Sequence, residues 1–200
     1  MSTKITVDFL VIGSGAAGVC AALYAASEGK AVMLCEKAAK IGGTTALSNA
    51  MIWVPCSDQA VQAGIDDSLE NARTYLRNEL GNYYDDAKIN TYLERGPEAV
   101  RAIEENSEIK FVLAGAPDYH SSQEGGVDKG RALSPVPYDG RKLGKEFDLI
   151  GDPIRVVLGG MMIASSEIKH FLNPFKSTTA MTHVLRRVGR FAMDRLKFSR

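Results

Sequence analysis

Three glycines and one acid near the start of the chain have the types and spacing to bind a nucleotide. Gly13, Gly15 and Gly18 follow one apolar run, and Glu36 ends another about two dozen residues after the first glycine. The three glycines permit, in turn, a sharp turn, a close approach of pyrophosphate to the backbone, and tight packing of a helix. The acid can accept hydrogen bonds from both ribose hydroxyls and repels a 2′-phosphate. The spacing therefore predicts a site for the ADP part of a dinucleotide.

A strand, a helix and a second strand are needed to position these residues. Residues 10–12 form an apolar run without alternation, which is typical of a strand buried on both faces of a parallel sheet. From Gly15 to about Ser27 the chain is rich in alanine, which favours a helix, and Gly29 can end it. The N-terminus of this helix would direct N–H groups at the phosphates. Residues 7–36 therefore predict a βαβ unit in an α/β fold.

Two other interpretations of this stretch are weaker. A signal peptide would explain the apolar character of residues 5–26 after Lys4, but three glycines inside the run argue against it. An ordinary strand, turn and helix with incidental glycines would leave the matching acid after the second strand unexplained.

Composition excludes several classes of function. The 24 basic and 24 acidic side chains cancel, which gives no global argument for nucleic acid or a phospholipid surface. No apolar run is long enough for an integral membrane segment. Cys20, Cys35 and Cys56 lack metal-ligand spacing, so no metal site is predicted, and they are interpreted as small core residues. Unpaired cysteines suit a reducing, cytoplasmic setting.

A second glycine pair follows the acid. Residues 42–45 read Gly-Gly-Thr-Thr, which suits a loop that directs backbone N–H groups and hydroxyls at a cofactor. A simple β-turn with threonine at its edge explains the same residues equally well.

Four segments together resemble the fumarate reductase-like FAD flavoproteins, and most of all their 3-ketosteroid Δ1-dehydrogenase branch. They are residues 13–18 (Gly-Ser-Gly-Ala-Ala-Gly), 36–37 (Glu-Lys), 41–48 (Ile-Gly-Gly-Thr-Thr-Ala-Leu-Ser) and 52–55 (Ile-Trp-Val-Pro). The resemblance implies a Rossmann-like FAD-binding domain. The implied cofactor residues are Gly13, Ser14, Gly15, Ala16, Ala17, Gly18, Glu36, Lys37, Gly42, Gly43, Thr44, Thr45, Ser48 and Ala50.

Each part of this set has an implied role. The first glycines and the acid would hold the ADP half of FAD, and the Gly-Gly-Thr-Thr segment would run along the pyrophosphate and ribityl chain. The segment from Ser48 to Trp53 would pass close to the isoalloxazine ring. Where the family usually has two glycines after this serine, the chain has Asn49 and Ala50, whose side chains would crowd the flavin or shift a backbone donor.

One candidate catalytic residue is present. Pro117, Asp118 and the glycines that follow predict a loop with Tyr119 at its tip. The resemblance implies that this tyrosine supports a catalytic base through hydrogen bonding. His120 is interpreted as a solvated loop residue.

Residues 57–108 have a charged amphipathic pattern and predict a helical insertion that caps the flavin domain. A first helix begins after Ser68 and ends at Gly81. A second, over residues 85–95, is broken by Gly96-Pro97, which begins a third.

The rest of the chain predicts a short strand at residues 110–113, turn-rich loops, and a basic amphipathic helix from about residue 177 to 198. Residues 158–163 read as an apolar turn into a helix capped by Ser165 or Ser166. Arg131 and Arg141 could bind a substrate carboxylate or brace loops. Bracing is favoured because steroids carry no carboxylate.

The resemblance covers nearly all 200 residues but only the N-terminal part of a family member. The expected organisation is a βαβ unit and flavin segment (1–56), a helical block (57–108) and loops, short strands and the basic helix (109–200), with the substrate domain absent. Such a chain would be a fragment or truncated product, or would pair with a second chain that supplies the missing domain. Its incomplete sheet would leave an edge and apolar surface exposed.

The implied reaction is 1,2-desaturation of a 3-ketosteroid, with hydride passing from a substrate carbon to flavin N5. One alternative is a fumarate reductase or succinate dehydrogenase type that acts on dicarboxylates. Another is a non-catalytic FAD-binding remnant. An NAD-dependent dehydrogenase is disfavoured because the Gly-Gly-Thr-Thr segment follows Glu36.

Overall fold

The computed structural model describes residues 4–151, 157–158, 161–163 and 167–198. The chain divides into two compact units, Met1–Pro153 and Ile154–Arg200. The first unit holds all the residues that the sequence predicts for the cofactor, and also Tyr119. None of the described helices has the length and hydropathy needed to cross a membrane.

The first unit begins with the strand, helix and strand that the sequence predicts. Strand β1 (Phe9–Ile12), helix α1 (Ala16–Ser27) and strand β2 (Val32–Cys35) follow in order. The two strands pair in parallel, with Phe9 opposite Val32 and Ile12 opposite Cys35. Parallel pairing places the ends of both strands at one edge of the sheet, so the glycine turn after β1 lies beside the acid after β2.

The predicted burial of β1 on both faces is wrong for the described residues. Phe9 and Leu10 are more than half exposed, and Ile12 is 82% exposed. The reason is that β1 and β2 form a sheet of only two strands within the described chain, so much of its apolar surface lacks a covering layer. Cys20 and Cys35 are likewise exposed rather than core residues.

The helical block is present, and one of its predicted boundaries is wrong. Its helices are α3 (Asp58–Gln62), α4 (Leu69–Leu80) and α5 (Asp86–Asn106), with a short 3₁₀ helix at Gly81–Tyr83. Ser68 caps α4 as predicted, because its hydroxyl accepts a hydrogen bond from the amide of Asn71 at 3.1 Å.

Helix α5 continues through Pro97 instead of breaking there. An interior proline costs about 3 kcal/mol because it has no N–H for the carbonyl four residues earlier. Leu93 and Val100 are buried on either side of it, and burying such side chains stabilises by about 1.5–3 kcal/mol each. Gly96 also lets the helix approach closely, since a Cβ there would lie 3.1 Å from Val54.

A three-stranded antiparallel sheet joins the Ile52–Trp53 segment to the later loops. Its order is β3 (Ile52–Trp53), β5 (Ala132–Pro135) and β4 (Phe111–Leu113), and β4 falls where the sequence predicts a strand. Leu133 of the central strand is fully buried with Val54 and Val100, and the sheet therefore shares a core with α5. A 3₁₀ segment, Gly140–Leu149, follows.

In the second unit, strands β6 (Val157–Leu158) and β7 (Met161–Met162) pair antiparallel. Helix α6 (Ile168–Leu172), a 3₁₀ turn (Pro174–Lys176) and α7 (Thr178–Phe198) follow. Helix α7 confirms the predicted basic helix. Residues 158–163 include strands rather than a single turn into a helix, because Leu158 pairs with Met161. The predicted caps Ser165 and Ser166 lie outside the described residues.

Candidate functional site

The glycine turn after β1 has the geometry that its spacing predicts. Gly13 has a φ of 100°, a backbone conformation that side chains disfavour. A Cβ at Gly18 would lie 1.9 Å from the carbonyl oxygen of Gly13, so only glycine allows α1 to pack this closely. A Cβ at Gly15 would meet no atom within 4 Å. Open space therefore adjoins the N-terminus of α1.

The carboxylate of Glu36 lies against the same turn. The amide and the hydroxyl of Ser14 donate to its Oε2 at 2.9 and 2.5 Å, and the amide of Ala38 donates to its Oε1 at 2.9 Å. The bond from Ala38, followed by those from Ser14, lowers the pKa of Glu36 to about 2. The acid is therefore ionised at neutral pH, and its orientation is fixed by the chain.

The second glycine pair begins a short helix rather than forming a loop or a simple turn. Gly43–Leu47 is helix α2, and Gly42 before it has a φ of 105°. The amide of Gly42 donates to the Ser14 hydroxyl at 2.9 Å, and the Thr45 hydroxyl accepts from the amide of Ala16 at 3.1 Å. The structure therefore brings the two glycine segments into direct contact.

The other predicted cofactor residues are either exposed to solvent or lie in the segment between α2 and β3. Ala17, Lys37 and Thr44 are exposed. The Ser48 hydroxyl donates to the carbonyl of Thr45 and accepts from the amide of Ala50 at 2.9 Å. Ala50 has a φ of 52°, the left-handed conformation that glycine adopts more easily. A glycine would therefore fit this backbone position with less strain than Ala50 does.

These features fit a nucleoside diphosphate. A helix N-terminus attracts phosphate, the open space beside Gly15 admits it, and an ionised carboxylate lies at the end of the adjacent strand. The donors and the acceptor therefore match the two chemically distinct parts of ADP, the pyrophosphate and the ribose. The class defined by this site is that of the dinucleotide-binding βαβ proteins.

Tyr119 lies on its predicted loop, away from this contact. Its side chain is 99% exposed, so it is not packed against the glycine segments. The two ends of the loop are joined, since the amide of Asp118 donates to the carbonyl of Val127 at 3.0 Å and the Val127 amide donates to the Asp118 carboxylate at 3.2 Å. His120 does not simply face solvent, because its Nδ1 lies 2.6 Å from a carboxylate oxygen of Glu79.

A buried ion cluster beneath the Tyr119 loop is the feature that sequence reasoning missed. The Arg131 side chain is 1% exposed. It donates two hydrogen bonds of 2.7 Å to Asp67 and one of 2.8 Å to Asp118. Asp118 also accepts the indole N–H of Trp53 at 2.7 Å. The cluster links the start of α4, the Tyr119 loop and strand β3.

The electrostatics of the cluster favour its charged form. Burial raises the pKa of Asp67, but the hydrogen bonds from Arg131 and Asn71 outweigh it and leave the pKa below its ordinary value. Arg131 therefore braces loops and is committed to two carboxylates. Arg141 is bonded to Asp139 within its own loop, at 2.8 Å from Nε.

The sequence could have indicated the cluster only weakly. Arg131 follows a glycine that begins a turn, and the two aspartates stand 64 and 13 positions before it. Such separations have no helical or strand period, so no local pattern joins the three residues.

The family assignment follows from comparison with known proteins. Residues 8–186 match the family described as the FAD binding domain. The chain therefore belongs to this family of flavoproteins, and its cofactor is FAD.

Relatives similar in sequence include dehydrogenases with named substrates. The chain is 36% identical over 161 residues to 3-oxosteroid 1-dehydrogenase of Mycolicibacterium smegmatis, which covers 80% of this chain and 28% of that protein. It is 35% identical over 199 residues to 4-oxocyclohex-2-ene-1-carboxylate 5-dehydrogenase of Sinomonas cyclohexanicum, covering 98% of this chain and 33% of that protein. The chain thus spans about a third of the length of these relatives.

A solved structure of a related dehydrogenase has the same fold as this chain. The 3-ketosteroid Δ1-dehydrogenase of Sterolibacterium denitrificans, crystallised with 1,4-androstadiene-3,17-dione, superposes with a TM-score of 0.83 at 30% identity. The match covers 97% of this chain and 35% of that one. The mixed helix and sheet structure described above is therefore the FAD-binding flavoprotein fold, and the sequence-based recognition of the family is confirmed.

Proposed function

We propose that this chain is the Rossmann-like, ADP-holding part of a flavin dehydrogenase that desaturates a ring ketone beside its carbonyl, with a 3-ketosteroid as substrate. The observation that carries the proposal is the structural match to a 3-ketosteroid dehydrogenase over 97% of the chain. The helical block, residues 57–108, is an insertion in this domain that caps the flavin side.

The cofactor contacts follow from the geometry around the glycine turn. Amides at the N-terminus of α1 bind the pyrophosphate in the space beside Gly15, and Glu36 binds the ribose. The segment from Gly42 to Ala50 runs towards the flavin, and Lys37 and Thr44 offer exposed donors beside it. Support comes from the direct bonds that join these segments through Ser14 and Thr45.

FAD supplies the acceptor for a hydride from the substrate carbon, and a proton must leave the neighbouring carbon for a base. We propose that Tyr119 contributes its phenol to the catalytic site, as a hydrogen-bond donor to that base. Its exposure leaves the hydroxyl accessible, and the bonds from Asp118 to Val127 hold its loop.

A second candidate substrate is a ring ketone that carries a carboxylate. It is favoured by the relative from Sinomonas cyclohexanicum, which matches 98% of this chain. Such a substrate needs a cationic partner, and Arg131 is already bound by two buried aspartates. The 3-ketosteroid is kept as the first candidate because the structural match over 97% of the chain is to a 3-ketosteroid dehydrogenase.

The catalytic site is completed by residues outside these 200, supplied by a longer polypeptide or by a second chain. This proposal rests on the share of the relatives that the chain spans, about a third.

Anaerobic flavin bleaching tests these proposals in a protein that carries this chain at the length of its relatives. We expect a 3-ketosteroid to reduce the bound FAD, while the matching 3-hydroxysteroid and succinate leave it oxidised. Bleaching by 4-oxocyclohexanecarboxylate alone would favour the second candidate. If no ring ketone reduces the flavin, the proposed function is wrong. Steady turnover of a steroid by the 200 residues alone would contradict the proposal that the site is completed from outside.

A further inference from the structure

The hydroxyl of Ser14 both donates and accepts a hydrogen bond within the protein. The residue is 3% exposed. Its hydroxyl donates to Oε2 of Glu36 at 2.5 Å and accepts from the amide of Gly42 at 2.9 Å. Ser14 therefore lies behind the nucleotide space beside Gly15, at the point where the first turn, the acid and the second glycine pair meet.

We propose that Ser14 is a positioning residue for FAD, whose hydroxyl holds the Glu36 carboxylate towards the ribose and fixes the second glycine pair to it. The inference rests on the FAD-binding part of the proposed function and is independent of the substrate. It differs from the role implied by the family resemblance, in which position 14 belongs to the residues that contact the cofactor.

The bonds of Ser14 also limit what Glu36 can accept. A carboxylate has about four acceptor positions. The Ser14 hydroxyl and amide occupy both positions of Oε2, and the Ala38 amide occupies one position of Oε1. The amide of Lys37 also contributes a hydrogen bond to this carboxylate. Glu36 therefore has less acceptor capacity for the two ribose hydroxyls than the sequence alone suggests.

Removing the Ser14 hydroxyl has two separable consequences. Glu36 loses a hydrogen bond to its charged form, so its pKa rises from about 2 towards 4.5 while the bond from Ala38 persists. The Gly42 amide loses its acceptor, and the second glycine pair is no longer tied to the acid. Both effects reach FAD only through other residues.

The test uses the 200-residue chain, with Ser14→Ala, Glu36→Gln and the double variant. Ser27→Ala is the matched control, because its hydroxyl lies at the other end of α1 and donates only locally, to the carbonyl of Tyr24. Quenching of flavin fluorescence gives the FAD dissociation constant. Carbon-13 NMR of the Glu36 carboxyl gives its titration without any cofactor.

We expect Ser14→Ala to weaken FAD binding about tenfold, the value of one hydrogen bond to a charged group. In the Glu36→Gln background, Ser14→Ala should raise the FAD dissociation constant about twofold or less, because the Glu36 carboxylate that Ser14 positions is already absent. The carboxyl titration of Glu36 should rise in Ser14→Ala, and Ser27→Ala should alter neither quantity.

Three outcomes would overturn the proposal. Full additivity of the two substitutions would show that Ser14 does not act on FAD through Glu36. An unchanged Glu36 titration would show that the hydroxyl does not hold the carboxylate. Absence of FAD binding by the unsubstituted chain would contradict any role of Ser14 in positioning. Failure of the steroid assay, in contrast, overturns the proposed substrate and leaves these measurements unaffected.

Discussion

Replacing Arg131 by methionine tests the physical basis of the buried cluster. Methionine fills a similar volume but leaves Asp67 and Asp118 without their cation, in sites where their side chains are 3% and 2% exposed. Removing one partner of a buried ion pair costs about 3–5 kcal/mol, because the remaining charge loses both its attraction and its hydrogen bonds. Against a typical total stability of about 5–15 kcal/mol, such a loss is readily measured.

Arg101 offers a matched control. It makes the same two-bond contact with Asp58, at 2.9 and 3.1 Å, but the two side chains are 51% and 47% exposed. Exposed pairs contribute about 0.2–1 kcal/mol. The difference between the two losses therefore measures burial together with the additional bond from Arg131 to Asp118.

The assay is urea unfolding followed by tryptophan emission. Trp53 is the single tryptophan of the chain and donates its indole N–H to Asp118, so its emission reports on the cluster directly. Equal losses for Arg131→Met and Arg101→Met would refute the reasoning.

Acidification provides a second check with a defined sign. In the unsubstituted protein the pKa of Asp67 lies below its ordinary 3.8, so the stability it contributes is present above that pH and is lost as the pH falls through the lowered value. In Arg131→Met, burial acts without the cation and raises the pKa of Asp67 above 3.8. The deficit of the variant should therefore shrink between pH 7 and pH 4. A deficit that grows over this range would contradict the assignment.

Three further changes have outcomes set by the structure. Gly15→Ala should fold normally, as judged by thermal melting, yet lose FAD binding by fluorescence titration. Gly18→Ala should lower the melting temperature, because its Cβ would lie 1.9 Å from the Gly13 carbonyl oxygen. Ala50→Gly should stabilise the protein by about 1 kcal/mol in urea unfolding, since it relieves a left-handed alanine; a loss of stability would contradict this. Pro97→Ala should stabilise by about 1–3 kcal/mol by restoring an interior helix bond, with unchanged circular dichroism.

Local signals in the sequence were enough to predict the βαβ unit and the contact between its glycine turn and Glu36. Gly13, Gly18 and Glu36 lie within one strand–helix–strand unit. Their spacing in the sequence is therefore enough to predict that the glycine turn and the acid lie together. The cap at Ser68 and the helix ending before Gly81 were predicted for the same reason.

Tertiary contacts decided what the sequence could not show. Pro97 remains inside α5 because Leu93 and Val100 are buried on either side of it, and that burial outweighs a local preference for a break. The two-sided burial predicted for β1 failed because burial depends on neighbouring layers, which an apolar run does not specify. The sequence predicts that Arg131 braces loops but does not identify its partners, because Asp67 and Asp118 come from distant segments.

Titration of the 200-residue chain with FAD, FMN and ADP tests the central claim most directly. We propose that the groups around the glycine turn and Glu36 hold the ADP end of FAD. We predict that FAD binds at one per chain, that ADP competes with it, and that FMN, which lacks the adenosine, binds far more weakly. Equal affinity for FAD and FMN, or no competition by ADP, would contradict the account.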